Sequence, residues 1–79
     1  MKLRITAFGI AKDILGARHI DYELEGRRIS DLKSALIDRY PAFRELASLR
    51  FAVEEEYQDD QYELKEAQQV VIIPPVSGG

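Results

Sequence analysis

The stretch VVIIPPVSGG, residues 70–79, joins the most apolar run of the chain to two prolines and two glycines. Its first four residues are β-branched and carry no polar residue between them, which favours a strand. A run without alternation is typical of a strand covered on both faces, usually a central strand with a parallel neighbour. The sequence therefore predicts that residues 70–73 form the central strand of a sheet.

Two segments near the start of the chain alternate between apolar and polar residues, as half-buried strands do. They cover residues 2–8 and 18–24. Gly9 and Gly16 bracket the segment between them, which is long enough for about one and a half helical turns. We expect two strands here, separated by a very short helix.

One long helix is predicted in the middle of the chain. Ser30 is a candidate N-cap, because its side-chain oxygen can accept a hydrogen bond from a free N–H of the first turn. Asp31 would then lie at the positive end of the helix dipole. Pro41 ends the helix. The residues at helical spacing that form its apolar stripe are Leu32, Ala35, Leu36 and Tyr40.

Residues 49–53 predict a third strand and residues 54–58 a weak fourth, ahead of the apolar run. If the last strand lies beside the first and parallel to it, with the helix across one face, the result is a mixed α+β sheet of the ubiquitin-like β-grasp type. We expect residues 1–73 to form this domain and residues 74–79 to form a flexible tail.

Composition excludes several classes of function. The chain has 79 residues, no cysteine, a net charge of −3 and no basic stripe. Disulfides, thiolate chemistry and zinc–thiolate sites are therefore excluded, and clustered cations for nucleic-acid binding are lacking. No apolar run approaches the roughly 18 residues of a membrane span, and we expect a cytoplasmic protein.

The polar residues do not suggest an active site of the chain's own. His19 has no His or Cys nearby in sequence to complete a metal site, and no serine has the context of a catalytic triad. The stretch from Glu54 to Glu66 carries seven acidic residues and one base. It forms either a solvated face or a surface complementary to a basic partner.

The segments AKDILG (residues 11–16) and IIPPVSGG (residues 72–79), in a chain of this length, resemble the ThiS/MoaD family of sulfur carriers. The similarity is greatest to members that serve molybdenum cofactor biosynthesis. Family members usually carry Asn where this chain has Glu54, and often Gly-Asp where it has Ala67-Gln68. Asn and Gly tolerate positive φ, so these replacements leave the two turn types open.

The resemblance implies that the carboxylate of Gly79 is the reacting group. An E1-like enzyme adenylates it with ATP and Mg²⁺, sulfur replaces the AMP, and the thiocarboxylate supplies the dithiolene sulfur of molybdopterin. The implied partners are the large, catalytic subunit of molybdopterin synthase, in a heterotetramer, the E1-like enzyme, and a sulfur donor such as a cysteine desulfurase or rhodanese. The chain itself is expected to bind no cofactor and no metal.

The composition of the tail suits that chemistry. Gly79 has no Cβ beside the reacting carbonyl, and Gly78 lets the backbone enter a narrow cleft. The prolines favour an extended exit, and six residues span about 20 Å at roughly 3.3 Å each. The residues expected to thread into a partner are Pro74, Pro75, Val76, Ser77 and Gly78, ahead of Gly79.

By analogy with the family, Phe8, Tyr57 and Ile73 are candidates for a partner interface; alternatively, each completes the core. Three other functions also remain open at this point. They are a carrier for another pathway such as thiazole synthesis, a protein modifier that forms isopeptide bonds to lysines, and an interaction module with an inert tail.

Overall fold

The computed structural model describes residues 1–46 and 49–74. The described chain folds into one sheet, two α-helices and a short 3₁₀ helix. The strands are β1 (Lys2–Ala7), β2 (His19–Glu23), β3 (Arg50–Val53), β4 (Glu56–Gln58) and β5 (Gln69–Ile73). The helices are α1 (Gly9–Leu15) and α2 (Ile29–Arg39), followed by the 3₁₀ helix Pro41–Glu45.

The described strands lie in the order β2-β1-β5-β3-β4, so that β5 is central. Strand β5 runs parallel to β1, with Ala7 opposite Ile72, and antiparallel to β3, with Val53 opposite Val70. The remaining pairs, β1–β2 and β3–β4, are antiparallel. This topology confirms the predicted β-grasp fold and the central position of the apolar strand.

The core lies between α2 and one face of the sheet. Leu32 and Leu36 are fully buried on the helix, as its apolar stripe predicts, whereas Ala35 and Tyr40 are only partly buried. The largest buried side chains that pack with them are Leu3, Ile5, Ile29, Phe43, Phe51 and Ile72. Each such side chain contributes about 1.5–3 kcal/mol of hydrophobic free energy relative to exposure. The helix therefore covers one face of the sheet.

The other face of β5 is not covered in the described chain, which corrects the expectation for this strand. Val70 and Ile72 face the core and are completely buried. Val71 and Ile73 face the opposite side and are partly exposed. Because α2 crosses only one side of the sheet, the β-branched run leaves part of its apolar surface in contact with solvent.

The start of α2 also differs from the prediction, because Ser30 is not its N-cap. The helix begins at Ile29, and the Ser30 N–H donates to the Asp60 carbonyl oxygen at 3.0 Å. The Asp31 carboxylate accepts from the backbone N–H groups of Arg28 at 3.0 Å and Arg27 at 3.1 Å. The cap therefore comes from a side chain inside the first turn.

Those two hydrogen bonds affect the titration of the cap. They stabilise the charged carboxylate, so the N–H of Arg28, and then that of Arg27, holds the pKa of Asp31 below its ordinary value. A lowered pKa in the folded state adds stability above the unfolded-state pKa. That contribution is lost as the pH falls through the folded-state pKa.

The two turns in which this chain lacks the family's Asn and Gly nevertheless contain residues with positive φ. Glu54 and Glu55, with φ of 53° and 71°, form the two-residue loop between Val53 and Glu56, which pair across the hairpin. Positive φ at both central residues is the signature of a type I′ turn, which matches the twist of the flanking strands. Ala67 has φ of 66°, and its N–H donates to the Lys2 carbonyl at 2.8 Å. The strand pairing imposes these conformations on residues that disfavour them.

Replacing Ala67 with glycine is therefore expected to stabilise the fold by roughly 0.5–1 kcal/mol, because glycine removes the steric cost of positive φ. Ala42→Gly is the matched control, since Ala42 is exposed in the 3₁₀ helix and does not have positive φ. That variant should lose stability by roughly 0.5–1 kcal/mol. Urea unfolding of the three chains measures both effects. Destabilisation by Ala67→Gly would show that the steric cost of positive φ at Ala67 is smaller than the entropy that glycine adds to the unfolded chain.

Candidate functional site at the tail exit

The tail leaves the sheet at the end of its central strand. Strand β5 ends at Ile73, which lies opposite Arg50 of β3, while Ile72 lies opposite Ala7 of β1. Pro74 is the last residue that the structure describes at this end. The other predicted tail residues lie outside the described residues: Pro75, Val76, Ser77, Gly78 and Gly79. The roles assigned to them from the sequence stay predictions.

The face of the sheet opposite α2 carries a group of apolar side chains around this exit. Val71 lies opposite Thr6 of β1 and Ala52 of β3, and Ala52 lies opposite Tyr57 of β4. Phe8 follows β1 in an extended conformation, with φ of −128° and ψ of 161°, so that it shares the face of Thr6. We call this set, together with the polar Thr6, the open sheet face; Thr6 and Ala52 are buried at its centre, and the exposed or partly exposed members are Phe8, Tyr57, Val71 and Ile73.

Two of the three predicted interface residues project from the open sheet face into solvent. Phe8 is 46% exposed and Tyr57 is 64% exposed. The alternative that these two complete the core is therefore wrong. Ile73 is partly exposed at the tail exit. Exposed apolar clusters often mark interaction surfaces, and the assignment of these residues to a partner interface stays a prediction.

Besides Thr6, the open sheet face includes two apolar side chains that sequence reasoning did not single out, Val71 and Ala52. Val71 lies two residues before Ile73 and therefore on the same side of β5. This period of two was available in the sequence. It was missed because the continuous apolar run predicted two buried faces.

A shallow depression of about 700 Å³ lies against Phe8, Thr6 and Val71. Its rim includes three exposed carboxylates, those of Glu54, Glu55 and Glu66. Three of the seven acidic residues noted in the sequence therefore border the open sheet face. An apolar centre with an acidic rim is complementary to an apolar surface flanked by basic side chains.

Polar side chains at the edge of the depression form hydrogen bonds with one another. The Thr6 hydroxyl lies 3.1 Å from His19 Nδ1, and it accepts from Gln69 Nε2 at 3.4 Å. The guanidinium of Arg18 lies 5.5 Å from the centre of the Phe8 ring, within the range of a cation–π contact. Within residues 1–46 and 49–74, no group of three or more His, Asp or Glu side chains could hold a metal ion.

The fold and this site define a small ubiquitin-like β-grasp protein whose central strand carries a C-terminal Gly-Gly tail. Residues 5–79 match the ThiS family. The chain therefore belongs to the ThiS family, as its tail and short-helix motifs predicted. None of the helices in the described ranges is both long and apolar enough to cross a membrane.

Two proteins that are similar to this chain have names that refer to molybdopterin. The chain is 31% identical to a molybdopterin synthase sulfur carrier subunit of Chlamydomonas reinhardtii, with 100% of each chain covered. It is also similar to the structure of a putative molybdopterin converting factor, subunit 1, from Pyrococcus furiosus. That likeness has a TM-score of 0.85 and 28% identity, over 96% of this chain and 99% of the other.

A second similar structure contains two proteins. It is a complex of subunits 1 and 2 of molybdopterin-converting factor from Helicobacter pylori, with a TM-score of 0.69 and 20% identity. The match covers 100% of this chain and 100% of the matched chain. At this identity the likeness supports the β-grasp fold.

Proposed function

We propose that this chain carries sulfur as a thiocarboxylate on Gly79 and donates it to form the dithiolene of molybdopterin. The observation that carries the proposal is the full-length match to a molybdopterin synthase sulfur carrier subunit, which covers 100% of both chains. The same relationship favours molybdenum cofactor biosynthesis over thiazole synthesis. The position of the tail at the end of the central strand, beside the open sheet face, supports it.

The chemistry requires activation because a carboxylate is a poor electrophile. In the proposed reaction, the Gly79 carboxylate attacks the α-phosphorus of ATP, and pyrophosphate leaves. Hydrosulfide then attacks the carbonyl carbon of the acyl adenylate, displaces AMP and loses its proton, which leaves the thiocarboxylate. If a protein persulfide attacks instead, an acyl disulfide forms, and a second thiol must cleave its S–S bond and leave as a disulfide with the donor cysteine. ATP and Mg²⁺ would be bound by the activating enzyme. This chain would supply the reacting carbonyl group at the end of a tail whose last two residues are glycines without side chains.

The open sheet face is the proposed docking surface for the enzymes that act on the tail. These are the E1-like adenylating enzyme and the large subunit of molybdopterin synthase, with which the chain would form a heterotetramer. A cysteine desulfurase or rhodanese would deliver the sulfur in the cytoplasm. The acid–base groups and the pterin pocket would belong to the large subunit, and the chain would bind no cofactor of its own.

Mass spectrometry of the C-terminal peptide tests the proposal. After incubation with the cognate activating enzyme, ATP, Mg²⁺ and a sulfide source, the chain should gain the mass of one oxygen-for-sulfur exchange at Gly79. Omission of ATP is the control and should leave the mass unchanged. A chain that stays unmodified, or whose C-terminal peptide is recovered only in amide linkage to lysines of other proteins, would contradict the sulfur-carrier function.

A further inference from the structure

Gly9 lies against the first residue of the tail. A Cβ atom built on Gly9 would lie 3.7 Å from Cγ of Pro74, which is ordinary van der Waals distance. Among residues 1–46 and 49–74, no other atom outside its chain neighbours and the backbone of its own helix lies within 4 Å of that position. Because Ala7 pairs with Ile72, strands β1 and β5 end side by side and bring these two residues together. The backbone of residue 9 therefore forms one wall of the tail exit.

The local backbone holds Gly9 in this place. Its φ of 55° turns the chain from the extended Phe8 into α1. The Phe8 carbonyl accepts from the N–H groups of Ala11 at 3.1 Å and Lys12 at 3.3 Å, and Ala11 is completely buried. The wall is therefore attached to the core. A Cβ alone at residue 9 would fit in ordinary contact with Pro74, but the atoms beyond Cβ in a longer side chain would have to displace Pro74 or turn away from it.

We propose that Gly9 is a positioning residue for the tail: it keeps the space beside Pro74 free of a side chain, and so sets the direction in which the chain leaves the sheet at Pro74. This inference rests on the proposed function, because the direction matters only if Gly79 must enter another enzyme. A displacement of about 1 Å in a reacting group can lower a rate on the order of a hundredfold. Bulk at residue 9 therefore affects the rate at which the tail reacts.

The test compares asparagine at the two glycines at the ends of α1: Gly9 is its first residue and Gly16 follows its last. Gly9→Asn adds bulk beside Pro74, whereas Gly16→Asn adds it where no atom lies within 4 Å of the new Cβ. Both glycines have positive φ, 55° and 82°, and Asn is among the residues that tolerate this conformation. The matched pair therefore separates bulk at the tail exit from backbone strain.

Single-turnover thiocarboxylation at saturating activating enzyme is the first measurement. Gly9→Asn should lower the rate by on the order of tenfold to a hundredfold, while its dissociation constant from the enzyme stays within about twofold. Gly16→Asn should leave both the rate and the affinity within about twofold of the parent chain. Equal rates for the two variants would overturn the proposal, and so would a loss confined to affinity.

A double-mutant cycle shows whether Gly9 acts through the proline ring. Pro74→Ala removes the ring, while Pro75 keeps residue 74 in extended conformations. The rate loss caused by Gly9→Asn should shrink several-fold in the Pro74→Ala background. Independent effects of the two substitutions would contradict the proposal.

A measurement without any enzyme separates this proposal from the proposed function. The isolated parent chain should show nuclear Overhauser effects between the Gly9 α-protons and the Pro74 ring, and Gly9→Asn should shift the amide resonances of residues 76–79. Absence of both signals would overturn the positioning role even if Gly79 is thiocarboxylated. If both signals are present but Gly79 is not modified, the proposed function fails and the structural contact stands.

Discussion

Deletion of Gly79 is expected to abolish sulfur transfer and to leave the fold intact. The reacting carboxylate would then belong to Gly78. The tail would be one residue shorter, so the carboxylate would stop about 3.3 Å short of the activating site. Every strand of the described sheet ends by Ile73, so the deletion removes no residue of the described core. The melting temperature should stay within roughly 2–4 °C of the parent value, since changes away from the core usually alter stability by less than about 0.5 kcal/mol.

The measurement pairs a transfer assay with thermal unfolding monitored by circular dichroism. Gly79→Ala is the graded control, because it keeps the length of the tail and adds one methyl group beside the reacting carbonyl. It should slow adenylation or transfer while docking survives. If the shortened chain melted several degrees lower, the terminus would be structural and its assignment as the sulfur-bearing group would be weakened.

Phe8→Glu is expected to weaken docking to the large subunit by ~1–3 kcal/mol, the range for loss of an aromatic interface anchor. This corresponds to a dissociation constant about fivefold to 150-fold higher. In the complex, the partner would bury the new carboxylate where it covers an apolar ring in the parent chain. The substitution also adds a negative charge beside the acidic rim of Glu54, Glu55 and Glu66. Thermal stability should change little, because Phe8 is 46% exposed in the free chain.

Ile10→Glu is the matched control for this prediction. Ile10 is 45% exposed and lies two residues from Phe8, but it belongs to α1 and not to the open sheet face. Calorimetric titration of both variants should show a loss of affinity for Phe8→Glu alone. Equal losses would place the interface on α1 as well, and unchanged affinity for Phe8→Glu would remove the open sheet face from the docking surface.

Local patterns were sufficient to predict the fold. Strand β5 was identified from four consecutive β-branched residues, β1 from strict alternation, and α2 from Leu32 and Leu36 at helical spacing. Each of these signals depends on side chains within a few residues of one another. The parallel pairing of β1 with β5 followed once the last strand was placed in the centre of the sheet.

The positions of the helix cap and the turns depended on contacts distant in sequence. Ser30 has a good N-cap side chain, but its N–H donates to the Asp60 carbonyl oxygen, and the helix begins at Ile29, two residues before the start that an N-cap at Ser30 would give. Likewise, Ala67 has no preference for positive φ. Its conformation accompanies a hydrogen bond to the carbonyl of Lys2. No local pattern contains those partners.

The sequence by itself determined the family of this protein, through the tail and the motif after the first strand. It also determined the order of the strands along the chain and the central position of the last strand beside the first. Only the tertiary structure decided which apolar residues are exposed. The run Val70–Ile73 is equally apolar throughout, yet Val70 and Ile72 are buried while Val71 and Ile73 face the open side. The physical reason is that exposure depends on what packs across the sheet, and α2 covers one face alone. The same reason applies to Gly9, whose contact with Pro74 arises from the pairing of β1 with β5.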